Sequence, residues 1–319
     1  MESNLRPLTL SEILDRTAQL YRENFLLFAG IFAVYSGVAL ILGMPLIFLF
    51  AGFKPLQPMA AGHMLAIFLA IGVVYLLLFL FFGAATAAIT RAVAWVHLGE
   101  PASIQRAYTT TLPRLGRYIW LKIIVFVMVA LVWLGGLLAG FILVTIPIIA
   151  LKARAPSGSG AIFALIIILL YIPSGFLAVW MALRYSLAIP ASVVENIKAR
   201  KAIRRSVQLS KESRGRIFVL WLMVGIVWFA LFAVTQGFFV FYSAAHQNNL
   251  PIGLSILQQI LNFFVNTLVG PLLAIGSTLF YYDQRVRKEG YDIEWMMQAA
   301  GLTVPEAPPV EGSEPQSEA

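Results

Sequence analysis

Unbroken apolar stretches alternate with short polar segments along this chain. Six of the apolar runs are long enough to cross a bilayer as helices, which takes about 20 residues each. They lie near Phe25–Phe50, Met64–Thr90, Tyr118–Ala150, Ala161–Ile189, Ile217–Tyr242 and Ile256–Tyr282. The runs are continuous rather than alternating, so the pattern predicts helices and not the strands of a barrel. Several exceed the minimum length, which implies tilt or protrusion beyond the hydrocarbon. Pro45, Pro147, Pro173 and Pro271 lie inside or near the ends of these runs, where proline can kink a helix.

The polar segments carry a second pattern. Between the fourth and fifth runs the chain reads KARKAIRRSVQLSKE, Lys198 to Glu212. Ala199, Ala202, Ile203, Ser206, Val207 and Ser210 fall at the spacing of one helical face, and the basic residues fall on the other. The same template fits Leu10, Ile13, Leu14, Thr17, Ala18 and Tyr21, and again Ile104, Ala107, Tyr108, Thr111, Leu112 and Leu115. A truncated fourth match runs Ile293, Met296, Met297 and Ala300. The starts at 10, 104, 199 and 293 are separated by 94, 95 and 94 residues. This near-constant step predicts an internal repeat in which a short amphipathic helix precedes two spans. Pro7 and Pro101 sit three residues ahead of their templates, and Thr9 with Glu12 has the spacing of a capping box.

The expected fold is therefore all-α and polytopic. Six transmembrane helices are arranged in three parallel pseudo-repeats of about 7–100, 101–195 and 196–290, within one membrane domain over 1–300. The partial fourth interfacial helix occupies 291–300. From 301 to 319 the chain is rich in Pro, Glu and Ser without Lys or Arg, the composition of a disordered acidic tail.

Charge fixes the expected orientation. Of the 23 Lys and Arg residues, all but Lys54, Lys152 and Arg154 fall on the side shared by the two termini. The positive-inside rule then places both termini in the cytoplasm of a plasma (inner) membrane protein. Glu2, Glu12, Asp15, Arg16 and Glu23 ahead of the first run argue against a cleaved signal peptide. The chain is 60% hydrophobic and 12% charged, well outside the range of soluble domains. The net charge of +8 is accounted for by this asymmetry, and no basic, aromatic groove for nucleic acid is present.

Candidate chemistry is sparse. With no cysteine, disulfides and thiolate metal sites are excluded. His63, His97 and His246 have no second ligand at metal-binding spacing, and no phosphate loop, nucleophile elbow or paired carboxylates appear, so neither metal, cofactor nor catalytic residue is expected. Asn262 and Asn266 share a face of the sixth run, preceded by Gln258 and Gln259; such a stripe can line a pathway or bond to neighbouring helices. Gly136 and Gly140 have the spacing of a close helix contact. The strongest candidate is the basic helix. Lys198, Arg200, Lys201, Arg204, Arg205 and Lys211, with Arg214 and Arg216 beyond, exceed what orientation requires and suit lipid phosphates or a partner protein.

Three segments carry a resemblance: LRPLTLSEILDRTAQLYREN at the start, KAIRRSVQLSKESRGR in the middle, and GPLLAIGSTLFYYDQRVRKEGYDIEWM from Gly270 to Met296. Together they resemble the glycerophosphoryl diester phosphodiesterase membrane-domain family, over nearly the whole chain except the tail. Val207-Gln208 departs from the aromatic and basic pair expected in its central motif. In some relatives this membrane domain is fused to a phosphodiesterase barrel. A barrel of about 250 residues has no room outside the membrane segments here, so the resemblance implies the membrane half alone. The expected function is a non-enzymatic membrane module engaging lipid headgroups or a partner protein at the cytoplasmic face, linked through the resemblance to phospholipid metabolism. The competing expectation is a transporter or channel for a small or lipid-like solute, with Asn262 and Asn266 facing a wet cavity.

Overall fold

Backbone groups in an apolar run have no water to bond with, so each run closes its own hydrogen bonds as a helix. The computed structural model describes residues 7–51, 61–150, 159–246 and 250–290. Within them are ten α-helices and, among the described residues, no strand. In chain order they are α1 (Leu10–Glu23), α2 (Phe25–Ala51), α3 (Ala61–His97), α4 (Ile104–Thr111), α5 (Leu115–Ala150), α6 (Ser159–Tyr185), α7 (Ala188–Val194), α8 (Ala199–Ser210), α9 (Arg214–Ala245) and α10 (Ile252–Glu289). Six of these, α2, α3, α5, α6, α9 and α10, are long and apolar enough to cross a membrane. The fourth template match, the acidic tail, and Lys54, Lys152 and Arg154 lie outside the described residues.

The three template starts coincide with the first residues of α1, α4 and α8. Local chemistry explains these starts. Thr9 accepts the Glu12 backbone N–H while the Glu12 carboxylate accepts that of Thr9, a complete capping box. Ser103 caps α4 in the same way through the Arg106 N–H. The predicted inner face holds best in α8, where Ala199, Ala202, Ser206 and Ser210 are buried. In α1 the stripe is narrower: Ile13, Thr17 and Leu20 are buried, whereas Ala18, expected inside, is exposed. In α4 Ile104 and Leu112 are exposed; a 3-10 turn over Leu112–Arg114, with Pro113 near its start, follows α4 and leaves Leu112 outward.

The spanning helices also depart from their predicted ends. α3 and α10 continue to His97 and Glu289, beyond the apolar limits at Thr90 and Tyr282, because protein covers most of the added turns, with Ala92, Val93, Ala94, Asp283, Gln284 and Val286 buried. α6 instead stops at Tyr185, and the separate helix α7 follows, which the pattern did not foresee. Pro190 is the reason. It has no N–H to continue the α6 ladder and its ring would strike the carbonyl four residues back, yet it is tolerated in the first turn of α7.

α10 is the central strut, packed on α1, α2, α3 and α9, with α7 and α8 across its C-terminal end. Two glycines permit the closest approaches. A Cβ at Gly270 would overlap the Phe32 ring of α2, and one at Gly276 would sit 2.9 Å from Leu220 of α9. Gly136 does the same for α5 and α6, where its Cβ would lie 2.7 Å from the Ser174 side chain. The predicted small-residue contact is therefore made at Gly136. The core gathers at one end of the bundle, around Phe28, Ile89, Leu187, Leu209, Leu279 and Tyr281. Toward the other end the helices present large apolar side chains outward, such as Phe68 (71% exposed) and Phe241 (77% exposed). A surface of this kind suits hydrocarbon rather than water. The chain is a multi-pass membrane protein.

A cationic helix docked on the bundle end

The short helices are fastened to the spans by side-chain hydroxyls. Tyr21 of α1 donates to the Leu268 carbonyl of α10 (2.8 Å), and Tyr108 of α4 to the Ile31 carbonyl of α2 (2.7 Å). Burial pushes the Tyr21 phenol up to about 12, so it remains a donor at neutral pH. On α8 two serines serve this purpose. Ser206 Oγ donates to the Arg184 carbonyl at the end of α6 (3.0 Å) and accepts the Leu187 N–H (3.2 Å); Ser210 Oγ also donates to Arg184 (3.2 Å). They satisfy groups that the break at Pro190 leaves without helical partners. The far end of α8 is closed by α10: Lys288 Nζ donates to the carbonyls of Gln208, Leu209 and Lys211 at 2.8–3.2 Å.

With α8 so placed, its eight predicted cations separate into two groups. Arg205 is held from both sides. Its Nε donates to Glu195, just after α7, at 2.8 Å, and its Nη groups pair with Glu289 of α10. Tyr281, fully buried, donates to the same Glu195 carboxylate. Burial opposes the guanidinium charge, but the hydrogen bonds to Glu289 and Glu195 outweigh it and raise the Arg205 pKa. Arg216 pairs with the buried Asp283 (3.4 Å) and donates to the Leu8 carbonyl (2.8 Å). Arg214 lies 4.8 Å from the Trp180 ring centroid. These three stitch helices together. Lys198, Arg200, Lys201, Arg204 and Lys211 are exposed, and their side chains have no hydrogen bond or ion pair with any described residue.

The bundle end holds two further features. Asp283 accepts the Leu8 N–H (2.8 Å) and both of its oxygens accept from Arg287 Nε (3.0 Å), which ties the start of the described chain to α10. An open cavity of about 320 Å³ lies where α3 meets the junction of α4 and α5, lined by Arg91, Trp95, Thr110, Pro113 and Arg114.

The sequence matches the family described as a domain of unknown function (DUF7847) over residues 8–284. The chain belongs to this family. The DUF7847 match therefore takes in α1 to α9 and most of α10, including Leu8 and Asp283 of the N-terminal tie. No curated protein and no solved structure matches the chain.

The other predicted polar site lies within the DUF7847 region, away from α8. Gln236 Nε2 of α9 donates to Asn262 Oδ1 of α10 (2.9 Å), and Gln258 Nε2 returns to Gln236 Oε1 (2.7 Å). Asn266 Nδ2 donates to the Asn262 carbonyl (2.9 Å), and Gln259 Nε2 to the Ala39 carbonyl of α2 (3.2 Å). The amides are thus spent on each other and on helix backbone at the seams of α10. His97 packs against Tyr282 and His246 against Tyr242. Arg91 and Arg114 line the cavity, although in the sequence they stand out only as part of the orienting charge. The pairing of Arg205 is not legible locally, because Glu289 is 84 positions away and Glu195, ten positions before it, is brought back only by the turn between α7 and α8.

Proposed function

We infer that this protein is a non-enzymatic membrane module that engages anionic lipid headgroups through α8, with both termini in the cytoplasm. The single observation that carries this reading is the sorting of the cations on α8 and at the start of α9. Those needed for the fold are paired or stacked, and five others stand exposed without a carboxylate among the described residues. Near an anionic bilayer surface each such cation contributes about 1 kcal/mol. The excess of Lys and Arg at this end supports the orientation. The common start of α1, α4 and α8 in the template supports three copies of one unit, each a short helix and two spans. The resemblance to the glycerophosphoryl diester phosphodiesterase membrane domain supports a setting in phospholipid metabolism. The engagement of Asn262 and its neighbours between helices takes away the main support for a conducting pathway.

The test is thermal unfolding of the detergent-purified protein with added phosphatidylglycerol or phosphatidylcholine. Phosphatidylglycerol should raise the midpoint more, and Arg200→Gln/Lys201→Gln/Arg204→Gln/Lys211→Gln should shrink the difference without changing the lipid-free midpoint. A difference as large in this variant as in the wild type would refute the assignment to α8.

A further inference from the structure

The cavity beside α4 has a chemistry of its own, separate from α8. Its lining contains two guanidinium groups, Arg91 from α3 and Arg114 from the turn before α5, and neither has a hydrogen bond or ion pair with any described residue. Trp95 forms an apolar wall; its outer neighbour, Arg106, lies 4.3 Å from the ring centroid. Arg106 itself is committed to Glu100 and to the Pro101 carbonyl. The Thr110 hydroxyl donates to the Arg106 carbonyl (2.7 Å), so the charged donors left for a guest are the two arginines.

Among the described residues no acid pairs with them, and Glu100, between α3 and α4, is taken by Arg106. The sequences of α3, α4 and α5 contain no Asp or Glu. The cationic character also continues along the α3/α5 seam. Lys122 lies eight residues beyond Arg114, about 12 Å along a helix, and its Nζ is buried without a hydrogen-bond partner, 3.5 Å from the Phe82 ring centroid. Gly83, eight residues before Arg91, is its neighbour on α3. Two arginines and a lysine thus follow one seam between an open mouth and the apolar belt.

Guanidinium groups present paired donors that match the oxygens of a phosphate. A volume of about 320 Å³ lies at the small end of ligand sites and suits a headgroup. Leu112 and Trp120, both more than half exposed, flank the junction at which α5 begins, so an acyl chain leaving the cavity meets apolar surface. We propose that the Arg91–Arg114 cavity is a binding site for the phosphate group of a single anionic phospholipid.

Native mass spectrometry of the full chain in detergent, titrated with phosphatidic acid or phosphatidylglycerol, reads this site directly. One lipid should bind saturably. Arg114→Gln, an exposed position that leaves the fold alone, should weaken it about tenfold, and Arg91→Gln should do likewise. An Arg22→Gln control and the four-residue α8 variant should retain it, which separates this site from α8. Lipid retention equal to wild type in both Arg114→Gln and Arg91→Gln overturns the proposal. Displacement of the lipid by millimolar inorganic phosphate overturns the lipid source in favour of a soluble phosphate ester. If only the α8 variant loses the bound lipid, the cavity is not the site.

Discussion

Replacing Asp283 with asparagine should release the N-terminal helix from the bundle. The Asp283 side chain is 0% exposed and pairs with Arg216 and Arg287, themselves 30% and 36% exposed. It also accepts the Leu8 N–H, while the Leu8 carbonyl accepts from both arginines. Asparagine keeps the shape but removes the charge and turns an N–H₂ group toward donors. Breaking a buried ion pair costs about 3–5 kcal/mol. Because the two arginines are about one-third open to solvent, water recovers part of this, which leaves about 2–3 kcal/mol. At about 1.4 kcal/mol per factor of ten, the opening equilibrium of α1 should rise roughly 30- to 150-fold. Limited trypsin digestion at Arg16 and Arg22 reads that opening, since cleavage tracks the open population when reclosing is fast. Arg287→Gln and Arg216→Gln should each produce a smaller increase. A cleavage rate for Asp283→Asn within twofold of wild type would refute the argument that this carboxylate holds α1 in place.

The other predictions concern α8 and the close helix contacts. Arg204→Glu should leave the unfolding midpoint nearly unchanged, because the residue is exposed and unpaired. Arg205→Glu should cost about 3 kcal/mol or more in detergent-denaturation stability by setting a third carboxylate beside Glu195 and Glu289. Ser206→Ala strands the Leu187 N–H and removes one of two donors to Arg184, a loss of about 1–3 kcal/mol that should appear as faster hydrogen exchange at 186–188. Gly270→Ala should cost about 1–3 kcal/mol, because the buried Phe32 ring occupies the space for the new methyl group. Gly276→Ala should cost less by the same denaturation assay, since it meets only the end of the Leu220 side chain.

The spans were legible because a bilayer-length apolar run has one outcome, and the starts of α1, α4 and α8 were legible because a helical face is a local signal, reinforced at α1 by its capping box and absent as a cap at α8. The exact inner face was harder. Ala18 and Leu20 exchanged roles because the groove that receives α1 is set by α10 and α2, which the sequence of α1 does not contain. α7 escaped notice because Leu187-Ala188-Ile189 prolongs the apolar run, and only the consequence of Pro190 for α6 marks the break. The serines on the inner face of α8 read as small residues, whereas they serve as caps for another helix. For the same reason, eight equivalent cations in one dimension became three fastened ones and five free ones. Arg205 meets Glu289 across 84 positions of sequence, a distance that no local pattern crosses.

The central claim is that the free face of α8 lies at the level of lipid phosphates. The absence of native cysteine allows one nitroxide to be placed without background. Gln208, exposed and adjacent to Arg204 on the helix, is a suitable site for Gln208→Cys. Power-saturation electron paramagnetic resonance in nanodiscs would measure its depth against oxygen and an aqueous nickel reagent. The nitroxide should sit near the phosphate layer in phosphatidylglycerol-containing bilayers and shift toward water in pure phosphatidylcholine. A nitroxide equally open to the aqueous reagent in both bilayers would contradict it.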